Sequence, residues 1–318
     1  MTDFKHRILE TNGINMHVAE IGEGKPVIFV HGFPELWRSW RKLMPAVAAA
    51  GYRAVAPDMR GYGRTDAPKN VDDYDIHQLT GDLCGLLDDL EVEKAFFVGH
   101  DWGAWAMWFM ALLHPDRVEA FANISVPYIP RSHFPPIERM TELFGDNFFY
   151  QVYFQEVGPA DRELSEDVRK TVQRFAWSVS GQAAGDEFKI LPKEGTGFLE
   201  QMNDPKAPMD WFTDKDLDYF VQEFSRTGYF GPLSWYRNID RNWASTPQLD
   251  GAKITQPVVF IAGTKDPVIR MVPPDGMKDW VPDLRDTVMI EGSGHWVHME
   301  NPDPVNEAIL RHIKDVGY

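Results

Sequence analysis

Apolar residues in the first part of the chain come in two alternating kinds of block. Short runs such as "INMHVAEI" (14–21), "KPVIFVHG" (25–32), "YRAVAPD" (52–58), "KAFFVGH" (94–100) and "RVEAFANISVP" (117–127) read as strands. Between them, "WRSWRKLMPAVAAAG" (37–51), "IHQLTGDLCGLLDDL" (76–90) and the stretch from Trp102 to about His114 carry helical spacing. The first of these helices is predicted despite an internal proline and stops at Gly51. Strand and helix taking turns in this way predicts a mostly parallel sheet with helices on both faces.

Near Pro127 the texture changes. "VPYIPRSHFPPIERM" is rich in proline and aromatics, and the next hundred or so residues show helical periods, as in "ELSEDVRKTVQRFAWSV" and "DKDLDYFVQEFSRTG", without buried-strand runs. Strands return at "QPVVFIAGTKD" and "DTVMIEGSGH", and "NPDPVNEAILRHIKDV" closes the chain as a helix. The expected organisation is an α/β core of residues 1–127 and 246–318 interrupted by a helical cap, 128–245. The glycine-rich "PDMRGYGRTDAP" (57–68) reads as a structural loop, not a phosphate site.

Composition narrows the function classes. With 32 Lys and Arg against 48 Asp and Glu, the formal charge is −16, which argues against nucleic acid or an anionic membrane as partner. Cys84 is the single cysteine, so an intrachain disulfide is impossible and a reducing compartment fits. The start, "MTDFKHRILETNGINMHVAEIG", lacks the apolar core and cleavage site of a secretory signal, and no run approaches the roughly 18 apolar residues of a membrane span. A soluble cytoplasmic protein is expected.

One junction carries chemistry. In "VGHDWGA" (98–104), Asp101 sits between strand and helix with a glycine two positions to either side. An aspartate can simply cap the helix that follows. The flanking glycines ask for more, because a sharp strand-to-helix turn that lifts one side chain out of the sheet needs small neighbours. The pattern has the shape of a nucleophile elbow with aspartate in the serine position. Such a carboxylate is already ionised and needs no base to attack, but the ester it forms needs a base-activated water to break.

Candidate partners follow in chain order. His295, in "EGSGHWVHMENP", lies in a glycine-flanked loop after the last strand and is the candidate base, with His298 the weaker alternative. Asp266, in "VVFIAGTKDPVI", ends a buried strand and could orient that histidine, or could be a plain turn residue before proline. "FVHGFPE" (29–35) offers the backbone N–H of Phe33 to an oxyanion hole shared with the N–H of Trp102. There is no Walker loop, dinucleotide fingerprint or zinc spacing, so no cofactor or metal is expected.

With these motifs together, from "HGFPELWRSW" through "APDMRGYGRTDAP", "GHDWGAWAMW" and "GTKDPVI" to "GHWVHMENP", nearly the whole chain resembles an α/β-hydrolase of the soluble epoxide hydrolase family. The resemblance implies that fold with a helical cap, and two cap tyrosines aimed at the nucleophile. In "YQVYFQEVGPA" (150–160) and "TGYFGPLSWYRNIDRNW" (227–243) it maps them onto Tyr153 and Tyr236, with Tyr150 and Tyr229 the nearest alternatives. It further implies a small-molecule epoxide as substrate, held by Phe33, Trp102 and the tyrosine pair, opened by Asp101 and released as a diol by His295 and Asp266. A haloalkane dehalogenase shares the Asp-Trp elbow but needs a polar halide donor just after "HG", where this chain has Phe33. A non-catalytic receptor of the same fold is the remaining rival.

Overall fold

The computed structural model describes residues 3–183 and 190–318. Its centre is one eight-stranded sheet in the order β1-β2-β4-β3-β5-β6-β7-β8. The strands are β1 (Lys5–Thr11), β2 (Ile14–Ile21), β3 (Pro26–Val30), β4 (Arg53–Pro57), β5 (Ala95–His100), β6 (Val118–Ile124), β7 (Val258–Gly263) and β8 (Leu284–Ile290). From β4 to β8 all neighbours are parallel, whereas β1, β2 and β4 pair antiparallel. The sequence reading begins the sheet at residue 14. The structure adds β1, whose mostly exposed side chains give an edge strand little hydrophobic signal. Asn12 and Gly13, both at positive φ, make the two-residue turn that joins it to β2.

The central strands are continuous apolar runs because both faces are covered. β3, β5 and β7 are buried at every position. Along β5, Phe96 and Val98 join one core with Trp40 and Ile309, while Ala95 and Phe97 join the other with Leu83 and Met107. That alternation is the period of two expected of a strand between two helical layers. The helices of these layers are α1 (Met44–Ala49), α2 (Ile76–Asp89) and α3 (Trp102–Leu113), with α11 (Pro267–Met271), α12 (Val297–Glu300) and α13 (Pro302–Asp315) nearer the C-terminus. The predicted 37–51 helix is in fact two pieces, a 3-10 turn over Trp37–Lys42 and then α1. Pro45 explains the break: it sits in the first turn of α1, where its missing N–H costs nothing.

Between β6 and β7 the described chain is helical: α4 (Pro136–Phe144), α5 (Tyr150–Tyr153), α6 (Pro159–Glu166), α7 (Val168–Ser178), α8 (Asp214–Thr227), α9 (Phe230–Arg237) and α10 (Ile239–Ser245). Asp216 of α8 ties this layer to the core, accepting from Arg38 at 3.0 Å and Arg41 at 2.5 Å. Trp235 of α9 is fully buried and its indole N–H donates to the Arg60 carbonyl at 3.1 Å. Burying a side chain of that size stabilises by roughly 1.5–3 kcal/mol, so α9 is held firmly against the core. Strand order reverses between β3 and β5, and the space beyond their carboxyl ends is where a ligand site is expected in an open α/β sheet. Phe33 follows the one strand and Asp101 the other.

Candidate active site

Asp101 leaves β5 with φ 50° and ψ −120°, a backbone conformation that costs a non-glycine residue about 1–3 kcal/mol. The glycines on either side make the turn possible. A Cβ on Gly103 would fall 1.9 Å from the Val30 carbonyl oxygen, and one on Gly99 would fall 2.9 Å from the Ala104 Cα. Asp101 stands at the N-cap position of α3, yet its side chain makes no capping hydrogen bond. Its Oδ1 instead accepts from the Phe33 backbone N–H at 2.7 Å. A Cβ placed on Gly32 would sit 2.5 Å from both Asp101 Oδ1 and the Trp102 backbone nitrogen, so only glycine lets the loop after β3 approach the elbow this closely.

On the opposite side of Asp101 stands His295. Its Nε2 is 3.6 Å from Asp101 Oδ2, and its Nδ1 is 3.1 Å from Asp266 Oδ2. Asp266 is fully buried after β7, and its Oδ1 also caps α11 through the Val268 N–H at 2.9 Å. The turn-residue reading and the orienting reading of Asp266 are therefore both satisfied by one carboxylate. Burial works against a charged imidazole at His295, but Asp266 and then Asp101 outweigh it and hold the pKa well above the usual histidine range.

The alternative histidine has another partner. His298 Nε2 lies 3.2 Å from Glu35 Oε2, and burial with the neighbouring His100 lowers its pKa to about 4. Glu35 also meets His100 Nδ1 at 2.5 Å, and His100 Nε2 in turn reaches the carbonyl of His295 at 2.9 Å. This buried Glu35–His100 pair braces the catalytic loop, and sequence reasoning passed over it because neither residue falls in a spacing that signals chemistry. Glu35, His100 and His298 bring three ligating atoms within 4.8 Å of one another. Tetrahedral zinc donors at about 2.0 Å from the metal lie roughly 3.3 Å apart, so the 2.5 Å Glu35–His100 contact marks a hydrogen bond, not a metal cradle.

The cap supplies the roof. Tyr236 on α9 packs edge-on against Trp102 at 5.0 Å and Phe33 at 5.3 Å between ring centroids. Burial first and then the Asp101 charge push its phenol well above the ordinary tyrosine range. Tyr153 does not join it. Its hydroxyl donates to Glu163 Oε2 at 2.9 Å, and Glu163 spends its remaining capacity on the N–H groups of Phe198 and Leu199. The ring beside Tyr236 is that of Tyr150, 5.9 Å away at 78°, and the nearest charges raising the Tyr150 pKa beyond burial are Asp101 and Asp266. Of the two α5 tyrosines, Tyr150 thus packs on the Tyr236 side, whereas Tyr153, the expected partner, turns to Glu163. Three residues apart on α5, both tyrosines lie on neighbouring sides of one turn, and only the position of Glu163 separates them. Tyr229, the other alternative, stacks on Phe224 at 4.9 Å.

Comparison with known proteins supplies the family. Residues 25–302 match the family model described as the alpha/beta hydrolase fold. The chain is 45% identical over 312 residues to epoxide hydrolase A of Mycobacterium tuberculosis, covering 96% of both proteins. It is 39% identical to epoxide hydrolase 1 of Siraitia grosvenorii, covering 99% of each. The crystal structure of epoxide hydrolase A from Mycobacterium thermoresistibile superposes with a TM-score of 0.94 at 45% identity, over 98% of both chains. That of an epoxide hydrolase from Vigna radiata gives 0.90 at 38% identity over 99% of both. The fold and the strand-elbow site define an α/β hydrolase. Within that class the chain belongs to the epoxide hydrolase family.

Proposed function

We propose that the protein hydrolyses small-molecule epoxides to vicinal diols through an ester on Asp101. The observation that carries this reading is the Asp101 carboxylate itself: strained into an elbow, making no cap to its own helix, and close enough to His295 and to the Tyr150 and Tyr236 phenols to raise their pKa values. Asp101 Oδ2 attacks an epoxide carbon while Tyr150 and Tyr236 donate hydrogen bonds to the ring oxygen. Their high pKa keeps both phenols protonated, so they stabilise the developing alkoxide without acting as strong acids, and the alkoxide becomes a hydroxyl by taking the proton that His295 gives up as the ester forms.

His295 then takes a proton from water, which attacks the ester carbonyl. The oxyanion forms on Asp101, beside the N–H groups of Phe33 and Trp102. Forming the ester removes one of the two negative charges that hold His295 protonated. The imidazole pKa therefore falls at the step where a neutral base is needed. Asp266 keeps Nδ1 occupied and leaves Nε2 for the water. Two phenol donors suit an ether oxygen, and the apolar Phe33 side chain offers nothing to a halide, which favours the epoxide over a haloalkane.

The proposed bounds of the cap remain 128–245, with 1–127 and 246–318 as core. No helix among the described residues is long and apolar enough to cross a membrane. The single, half-buried Cys84 and the charge of −16 support a cytoplasmic enzyme that does not work on nucleic acid. A single turnover in 18O-water, with enzyme in excess over styrene oxide, tests the chemistry. Label in the Asp101 peptide and not in the first diol is expected. Label entering the diol directly would sink the ester.

A further inference from the structure

The loop that carries His295 is fastened to the cap as well as to the core. The His295 N–H donates to the Val179 carbonyl, just beyond α7, at 2.8 Å. The indole N–H of Trp296 donates to the Ala176 carbonyl of α7 at 2.9 Å. A third contact is made by the carboxylate of the half-buried Glu300. Glu300 Oε2 accepts from Gly181 N–H of the cap at 2.9 Å and from Gly294 N–H of the catalytic loop at 3.2 Å. Its other oxygen, Oε1, is buried and has no hydrogen-bond partner among the described residues. Desolvating a carboxylate is costly unless it is paired, and one oxygen shared between cap and loop is a specific arrangement.

Close backbone contact explains why the joint is built this way. A Cβ on Gly294 would lie 2.3 Å from Gly181 N and 2.5 Å from the Val179 oxygen. A Cβ on Gly181 would lie 2.1 Å from the Gly292 oxygen. No side chain can intervene there, so the two segments meet as bare backbone, and two amide donors need one acceptor. Glu300, at the end of α12, supplies it.

We propose that Glu300 is a positioning residue that couples the cap to the catalytic histidine and sets the rate of ester hydrolysis. This rests on the two-step reading above. The two steps need different things: attack on the epoxide needs Asp101 and the phenols, whereas hydrolysis needs the His295 imidazole aligned on a water. Loosening residues 294–296 therefore slows the second step selectively. A misplacement of about 1 Å can cost up to a hundredfold.

The test is rapid-quench single turnover with styrene oxide on the full-length wild type, Glu300→Gln, Glu300→Ala and Gly181→Ala. Ester on the Asp101 peptide is followed by mass spectrometry and folding by thermal melting. In Glu300→Ala, ester formation stays within about twofold of wild type, while its hydrolysis slows about tenfold or more and ester accumulates. Glu300→Gln, whose amide oxygen can still accept both N–H groups, recovers most of the rate. Gly181→Ala reproduces the alanine defect and carries the test if Glu300→Ala does not fold. Equal slowing of both steps, or unchanged hydrolysis in folded variants, overturns the coupling while leaving the Asp101 ester intact. Absence of any ester in the wild type would overturn both.

Discussion

His295 Nε2 stands 3.6 Å from Asp101 Oδ2, the imidazole being held from behind by Asp266. That gap is slightly too long for a hydrogen bond and short enough for strong attraction between charges. On the proposed mechanism, one carboxylate serves first as the counter-charge of the histidine and then, once esterified, as the target of the water the histidine activates. The arrangement makes the charge on Asp101 a control on the protonation of His295.

Replacing Asp101 with Asn exposes that control. The imidazole loses one of the two anions that raise its pKa, so its titration midpoint falls relative to wild type. NMR of the histidine ring protons across a pH series measures the shift. A midpoint that stays in place or rises in Asp101→Asn would contradict the mechanism.

Removing the base separates the two chemical steps. His295→Gln is expected to form ester at close to the wild-type rate and to lose at least about a hundredfold in its hydrolysis, the usual scale of a general base. Intact-protein mass spectrometry after mixing with styrene oxide detects the trapped adduct. A variant that neither forms adduct nor makes diol would show that His295 is needed before the ester.

The tyrosines give the sharpest comparison. Tyr150→Phe and Tyr236→Phe each remove one donor to the epoxide oxygen and should slow ester formation by about tenfold to a hundredfold, somewhat below the loss of an oxyanion-hole donor. Tyr153→Phe should leave kcat within about twofold and lower stability by about 1 kcal/mol, the worth of its bond to Glu163. Stopped-flow tryptophan fluorescence and urea unfolding check both halves. A large kinetic loss in Tyr153→Phe alone would restore the expectation read from the sequence.

Cap docking has a pH signature at Asp216. Burial opposes its ionisation, but Arg41, the Thr213 cap and Arg38 together hold its pKa below the ordinary 3.8. A depressed carboxylate adds stability above its unfolded value and loses it as pH falls through the folded one. Asp216→Asn, which leaves two arginines facing a neutral group, should therefore cost about 3 kcal/mol near pH 7 and progressively less below about pH 4. Urea unfolding of both proteins at several pH values measures it. A difference that grows on acidification would place the stabilisation elsewhere.

Much of the site was legible because its signals are local. The glycines around Asp101 are demanded by backbone contacts made within the elbow and against β3, and the strands that deliver Phe33, Asp101 and Asp266 are buried runs that announce themselves. The edge strand β1 and the break at Pro45 were not legible: exposure hides the first, and a proline in a first turn looks the same as one in a helix interior. Tyr150 and Tyr153 could not be told apart either. They share a helical turn and a side-chain type, and what divides them is a carboxylate ten residues on from Tyr153 that takes up one hydroxyl.

The sequence by itself determined the class of fold, the chain order of the proposed nucleophile, acid and base, and the loops that hold them, because each depends on short-range pattern and chain order. Tertiary structure alone decided which tyrosine of α5 packs beside Tyr236, that Glu35 and His100 brace the histidine loop, and that Glu300 joins this loop to the cap. Those relations link positions up to 195 residues apart, as in the bond from His100 to His295. No periodicity along the chain encodes such distances; they exist only once the sheet has brought its loops to one edge and the cap has closed over them.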